Sequence, residues 1–329
     1  MKRETIRLWD RADYQYSASW GFLPRLDGYL HDDGQLLPAI IIVPGGGYRR
    51  CSPREGECVA LRFYEMGYQT FVCTYTTNPL GDHPLGNQPA KDIAQAVRYV
   101  RENAGILNVL PNRITLCGFS AGGHAAATVG VHWPDFAQPD DKSASVCRPD
   151  ALILCYPVVS VFSALSHSAS GIHLLGEHPA AESIHYMQLE KNVRSDCPPV
   201  FLWHTLTDQT VSPDNSRTFA NAFRSAGVPC ELHLFSTGEH GLSLADGSIV
   251  ISEDNLFTLE QTAALLNAME RGDLVVEPQA AEQIYSHPEV KLLQSHGGSH
   301  RRFPANEEVS NWVTLADQWL CRLQDDPKQ

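Results

Sequence analysis

The chain has 329 residues, 43% of them hydrophobic and 19% charged, and its 25 basic against 38 acidic side chains leave a formal net charge of −13. That length and apolar content suffice to bury a large core and exclude a small disulfide-stapled scaffold. With no basic run longer than Arg49-Arg50 or Arg301-Arg302, the acidic balance excludes a nucleic-acid partner and an anionic membrane surface, both of which are held by clustered Lys and Arg.

The chain starts Met1-Lys2-Arg3-Glu4-Thr5-Ile6-Arg7, charged and with no apolar stretch behind it. Neither a secretory signal nor a membrane-spanning helix is expected there, and the expected location is the cytoplasm. The β-branched run Ala39-Ile40-Ile41-Ile42-Val43 reads as a strand buried on both faces, ended by Pro44-Gly45-Gly46-Gly47. Ser52-Pro53-Arg54-Glu55 has the form of a capping box opening a helix that stops near Gly67. A strand over Tyr68 to Thr74 follows, then a crossover helix carrying Ile93, Ala96, Val97 and Val100 at helical spacing. Next come a strand from Arg113 to Cys117, a tight turn from Gly118 to Gly122 and a small-residue helix from Gly123 to Gly130. Ala151 to Cys155 and Val200 to His204 supply further strands. Ser212-Pro213 starts a helix ending at Gly227, and Glu231 to Phe235 is the last expected strand. Val309, Trp312, Val313, Ala316, Trp319 and Leu320 form an apolar stripe on a carboxyl-terminal helix that should pack back on the sheet.

This alternation predicts one α/β domain over residues 1–329: a doubly wound, mostly parallel sheet with helices on both faces. Two stretches break the pattern, at about 160–197, rich in Ser and His, and at about 246–306. On such a scaffold, long insertions are expected to wall or cover a site. Nine cysteines include no C-x-x-C pair, and Cys73, Cys117 and Cys155 sit in apolar runs, so they read as reduced thiols packed as small hydrophobes.

Gly118-Phe119-Ser120-Ala121-Gly122 is a G-x-S-x-G turn between a strand and a helix. A serine on so sharp a turn projects its oxygen above the sheet edge, and the crowded backbone demands small neighbours. A serine hydroxyl is a weak nucleophile near neutral pH, so it needs a histidine to take its proton and a carboxylate to orient that histidine. In this architecture both follow the serine, on loops at the carboxyl ends of later strands. Asp208 lies just past the strand ending at His204, and His240 lies just past Phe235, in Thr237-Gly238-Glu239-His240-Gly241. Among fourteen histidines, His204 and His233 fall within strands and His124 follows the serine, places that suit packing or support. His296 and His300 sit in a polar loop read as surface. Asp214, the rival acid, starts a helix, where a carboxylate needs no catalytic reason.

Attack on an acyl carbonyl leaves negative charge on oxygen, for backbone N–H groups to stabilise. Ala121, directly after the serine, and Gly46 or Gly47 of the early glycine loop are the expected donors, with the choice among residues 45–47 left open. No phosphate-binding fingerprint accompanies the glycines, and His296-x-x-x-His300 alone is poor evidence for zinc. No cofactor and no metal are expected.

With these segments assembled, the sequence resembles the acetylxylan-esterase-like and bacterial feruloyl-esterase-like branch of the α/β-hydrolases. The likeness runs from about residue 36 to 245 and resumes at about 309 to 321. It is carried by Ile42-Val43-Pro44-Gly45-Gly46-Gly47-Tyr48, Glu55-Gly56-Glu57, Gly118 to His124, Tyr156-Pro157-Val158, His204-Thr205 with Asp208, and Glu239-His240-Gly241-Leu242. The resemblance implies a serine esterase removing acetyl or other short acyl groups, often from sugars, with Ser120, Asp208 and His240 as nucleophile, acid and base. The chain departs from the pattern at Thr207, where relatives often carry a second acid, and at Tyr75-Thr76-Thr77, where an arginine commonly follows the tyrosine. No counterpart is recognised for Arg271 to Asn306. The sequence thus predicts a carboxylic-ester hydrolase whose partner is a small-molecule or oligosaccharide ester. The competing readings are a serine peptidase or amidase on the same scaffold and a non-catalytic ligand-binding homologue. The sequence carries no pattern that sets subunit number.

Overall fold

The computed structural model describes the chain except for residues 140, 142, 144, 166, 252, 295–300 and 326–329. In chain order it contains β1 (Lys2–Arg7), β2 (Arg25–Leu30), β3 (Leu37–Val43), α1 (Glu57–Glu65), β4 (Gln69–Thr74), α2 (Gln88–Glu102), β5 (Val109–Phe119) and α3 (Ser120–Val131). Then follow β6 (Ala151–Cys155), α4 (Ser168–Leu175), α5 (Ala181–Met187), β7 (Val200–Thr205), α6 (Asp214–Ser225) and β8 (Cys230–Phe235). The last part holds β9 (Val250–Ile251), α7 (Glu260–Glu270), α8 (Pro278–Ser286), α9 (Pro288–Gln294), β10 (Arg301–Arg302), α10 (Glu307–Ser310) and α11 (Trp312–Asp325).

The main sheet has eight strands in the order β1-β2-β4-β3-β5-β6-β7-β8. From β4 to β8 every pairing is parallel, whereas β1 and β2 join antiparallel at one edge. Successive side chains of a strand point to opposite faces, and each buried strand therefore feeds two cores. Ile41, Val43, Leu116, Leu152 and Leu202 pack with Ile93 and Val97 of α2, Ala125 of α3 and Phe219 of α6. Ile40, Ile42, Cys117, Ile153 and Trp203 pack on the other face with Val59 and Phe63 of α1 and with Trp312, Ala316 and Trp319 of α11. The carboxyl-terminal stripe does return to the sheet. All nine cysteines are free, six of them buried.

Several local expectations change. The capping box does not form: Ser52 makes no side-chain cap bond, a 3-10 turn occupies Pro53–Glu55, and α1 begins only at Glu57. Burying Val59 and Phe63 contributes about 1.5–3 kcal/mol each, more than the roughly 1 kcal/mol of an absent cap, so the helix forms without one. The helix after the serine turn begins at Ser120 rather than Gly123. Strands β1 and β2 were not anticipated, because Lys2–Arg7 is charged along its length and only Ile6 in it is buried. The short β9 and β10 pair antiparallel with each other after the strand expected to be last.

Because β3 and β5 to β8 run parallel, their carboxyl ends share one rim of the sheet. The glycine loop leaves β3 there, Ser120 leaves β5, Tyr156 leaves β6, Asp208 follows β7 and His240 follows β8. Residues distant in sequence meet at that rim.

Candidate active site

Ser120 holds φ +50°, a conformation that side chains other than glycine rarely adopt. Its neighbours make the turn possible. A Cβ on Gly122 would stand 2.2 Å from the Pro44 carbonyl oxygen and 2.4 Å from that of Val43, and one on Gly118 would stand 2.7 Å from the Gly122 oxygen. Both glycines are required by close backbone approach, and the first turn of α3 lies directly against the end of β3.

Three side chains then touch in series. The Ser120 hydroxyl lies 2.8 Å from His240 Nε2, and His240 Nδ1 lies 2.7 Å from Asp208 Oδ2. A carboxylate only accepts, so Nδ1 carries the proton, Nε2 keeps its lone pair, and the serine O–H donates to it. Asp208 Oδ1 accepts the amides of Thr210 and Val211 at 2.8 and 2.9 Å. Burial by itself would raise the Asp208 carboxyl. Hydrogen bonds from His204 and His240, and the charge His240 can carry, outweigh it and hold the group well below the usual carboxylate range. The acid stays an acceptor.

His204 is fully buried behind that carboxylate. Its Nε2 lies 3.2 Å from Asp208 Oδ2 and 3.0 Å from the Val211 carbonyl, while Nδ1 lies 2.8 Å from Ser216 Oγ. Two acceptors at Nε2 place the proton there, and Ser216 donates to Nδ1. His124 is equally buried: it bonds the Tyr48 hydroxyl through Nδ1 at 2.7 Å and the Met187 carbonyl through Nε2 at 2.9 Å. Both serve as supports, in keeping with their places in the sequence. His233 pairs with Glu231 on β8 and packs on Phe201, away from the serine. Asp214 is exposed and pairs with Arg217. His296 and His300 lie outside the described residues.

The glycine loop is pinned from several sides. The Pro44 carbonyl accepts the Tyr75 hydroxyl at 2.7 Å, and the Gly45 amide donates to Glu55 Oε2 at 2.9 Å. Tyr48, at φ +63°, is held by His124 at its hydroxyl, and its carbonyl accepts the Asn78 amide at 2.8 Å. Gly46 and Gly47 take φ +126° and +66°. A Cβ on Gly45 would lie 2.9 Å from Ser120 Cβ, so this loop runs against the serine. Ala121 lies in the first turn of α3, where an amide has no intrahelical acceptor.

Sequence reasoning missed three contributors. Glu55 imitates a capping residue in its spacing but faces the site. Tyr156, at φ +39°, packs edge-on against the His240 ring at 5.0 Å. His167, from the stretch between β6 and β7, bonds Ser170 Oγ through Nδ1 at 2.8 Å, and its Cε1 would lie 4.0 Å from a Cβ on Gly47. Burial and then the neighbouring His240 charge lower its pKa. No periodic or motif signal marks His167, because its place depends on how an irregular segment folds over the rim.

Strand order, the strained serine turn and the chain order serine, acid, histidine define an α/β-hydrolase. The BD-FAE family model matches residues 26–223, more than half of the chain. The chain belongs to the BD-FAE family. It is 38% identical over 264 residues to "Endo-1,4-beta-xylanase B" of Butyrivibrio fibrisolvens, a match covering 80% of this chain and 41% of that protein. It is 32% identical over 228 residues to an acetylxylan esterase of Xylanibacter ruminicola, covering 64% of this chain and 45% of that one. The chain thus spans less than half the length of these two relatives. Among solved structures, an acetyl ester-xyloside bifunctional hydrolase from Caldicellulosiruptor lactoaceticus superposes with a TM-score of 0.68 at 37% identity, covering 83% of this chain and 97% of that one.

Proposed function

We propose that the chain is a serine esterase that removes short acyl groups, acetyl foremost, from saccharides. The observation that carries this is the unbroken series from the Ser120 hydroxyl through His240 to Asp208. Ser120 attacks the acyl carbonyl while His240 takes its proton, and the tetrahedral oxyanion is met by the amides of Ala121 and of Gly46 or Gly47. His240 then protonates the departing sugar oxygen, leaving an acyl-enzyme. Water, deprotonated by His240, releases the acid and restores the serine. Asp208 keeps the imidazole in the tautomer that can accept and stabilises the imidazolium. Similarity to an acetylxylan esterase and to an acetyl ester-xyloside hydrolase supports acetylated xylo-oligosaccharides as the substrate class.

The test compares turnover of p-nitrophenyl acetate, acetylated xylo-oligosaccharides and aminoacyl anilides, together with labelling by a serine-directed phosphonate. Ester turnover with the label on Ser120 is expected. A preference for anilides would replace the esterase with a peptidase or amidase, and folded protein that resists labelling at Ser120 would remove the catalytic reading altogether.

A further inference from the structure

We infer that Glu55 is a positioning residue for the reaction, tying the glycine loop to the histidine loop through one buried carboxylate. The inference rests on the esterase mechanism above. Glu55 is 2% exposed, and both of its oxygens are used. Oε2 accepts the Gly45 amide at 2.9 Å, and Oε1 accepts the Tyr156 hydroxyl at 2.7 Å. The Tyr156 oxygen in turn accepts the Ser243 amide at 3.0 Å, three residues past His240. Ser243 is fixed further by its hydroxyl bond to the Arg54 carbonyl at 2.6 Å and by the Trp312 indole on its own carbonyl at 2.9 Å.

At one end, the Pro44–Gly45 peptide is clamped on both sides, its carbonyl by Tyr75 and its N–H by Glu55. With that plane fixed, the direction of the following amides, Gly46 and Gly47, is set before substrate arrives. Oxyanion stabilisation depends on such preorganised donors. At the other end, the edge-on packing of Tyr156 against the imidazole and its bond to Ser243 fix the loop that carries the base. A buried carboxylate costs several kcal/mol of desolvation, and an apolar side chain of similar size would fill the same space more cheaply. Neither does Glu55 cap α1. What the carboxylate alone supplies is two acceptors facing two donors. A glutamine would turn an NH2 toward either Gly45 or Tyr156 and leave one of them without an acceptor.

The experiment measures kcat and KM for p-nitrophenyl acetate, normalised to serine titrated by the phosphonate, together with the phosphonylation rate constant, in the wild type, Glu55→Gln and Tyr156→Phe. Expected for Glu55→Gln is a fall in kcat per titrated serine on the order of 10- to 100-fold, a parallel fall in phosphonylation rate, and KM within about threefold of wild type. Tyr156→Phe, which cuts only the histidine-loop arm, should lower both rates by a smaller factor, about five- to tenfold. A residue that merely held the fold would lower the titratable fraction and the melting temperature and leave the rate per titrated site intact. The inference is overturned if kcat per titrated serine in Glu55→Gln stays within about threefold of wild type. If that variant does not fold, the same threshold applied to Tyr156→Phe decides. Failure of the esterase mechanism is seen separately, in a wild type that neither hydrolyses the acetate nor is labelled at Ser120.

Discussion

The acid is the residue on which the protonation of the whole series depends. Asp208 accepts from His240, His204 and two amides, so it enters no step as a donor. In Asp208→Asn, Oδ1 must still accept the Thr210 and Val211 amides, so the NH2 faces both imidazoles and stabilises the His240 tautomer that cannot accept from Ser120. We expect kcat to fall by about 10⁴ with KM little changed, measured with p-nitrophenyl acetate. The same residue gives a pH prediction. Its folded pKa lies below the unfolded value of about 3.9, so its contribution to stability is present above that value and is lost as pH falls through it toward the folded pKa. Urea unfolding from pH 7 down to about 3 should show the wild type losing stability relative to Asp208→Asn. That Ser120, His240 and Asp208 would meet was legible because each sits just past a strand with turn residues around it. Glu55 was misread because S-x-x-E spacing describes a capping box and a buried tether equally well.

Among elements, the glycine turn and the late insertion answer different constraints. Gly122 faces two carbonyl oxygens of the β3 end at under 2.5 Å from any added Cβ, so neither backbone can yield without moving the serine or the glycine loop. Gly122→Ala should cost at least about 3 kcal/mol and abolish labelling of Ser120 in whatever folds, checked by denaturant melts and mass spectrometry. The insertion is fastened through Gln261 of α7, whose Oε1 accepts the Thr77 amide and hydroxyl at 2.7 and 2.9 Å and whose Nε2 donates to the carbonyls of Thr77 and Ala18. Leu265, Leu266, Ile284 and Val290 of the α7–α9 region close over Trp20 and Leu80. Thr77 thus anchors the first helix of this stretch. Gln261→Ala should destabilise by about 2–4 kcal/mol, since it leaves buried groups of Thr77 unpaired. Thermal melts would read this, and an unchanged melting temperature would dissociate the insertion from Thr77. Strand and helix identities were legible wherever apolar spacing was strong; β1 and β2 were not, because β2 is held by pairing onto β4 and β1 by pairing onto β2 rather than by their own pattern.

Across the molecule, Asp92 joins elements that are far apart in sequence. Its carboxylate is fully buried and accepts from the Trp9 indole at 2.9 Å, from Gln88 at 2.8 Å, and from both the amide and the hydroxyl of Thr76. Burial outweighs these bonds and pushes its pKa up to about 6. A raised carboxyl acts opposite to Asp208: the folded protein binds this proton more tightly than the unfolded chain, so stability from this group declines as pH rises from about 4 to about 6. Asp92→Asn should remove that slope from a plot of unfolding free energy against pH while lowering stability throughout; a slope that persists would assign the proton uptake elsewhere. The sequence by itself determined the alternation of strands and helices, the glycine-flanked serine turn and the loops bearing acid and base, because hydrophobic period and turn chemistry act between near neighbours. Only the tertiary structure decided that Glu55 faces the site, that Tyr156 packs on His240 and that Gln261 holds the insertion to Thr77. Those contacts join residues whose separation along the chain leaves no local pattern, and parallel strands bring them together only once their carboxyl ends share a single rim.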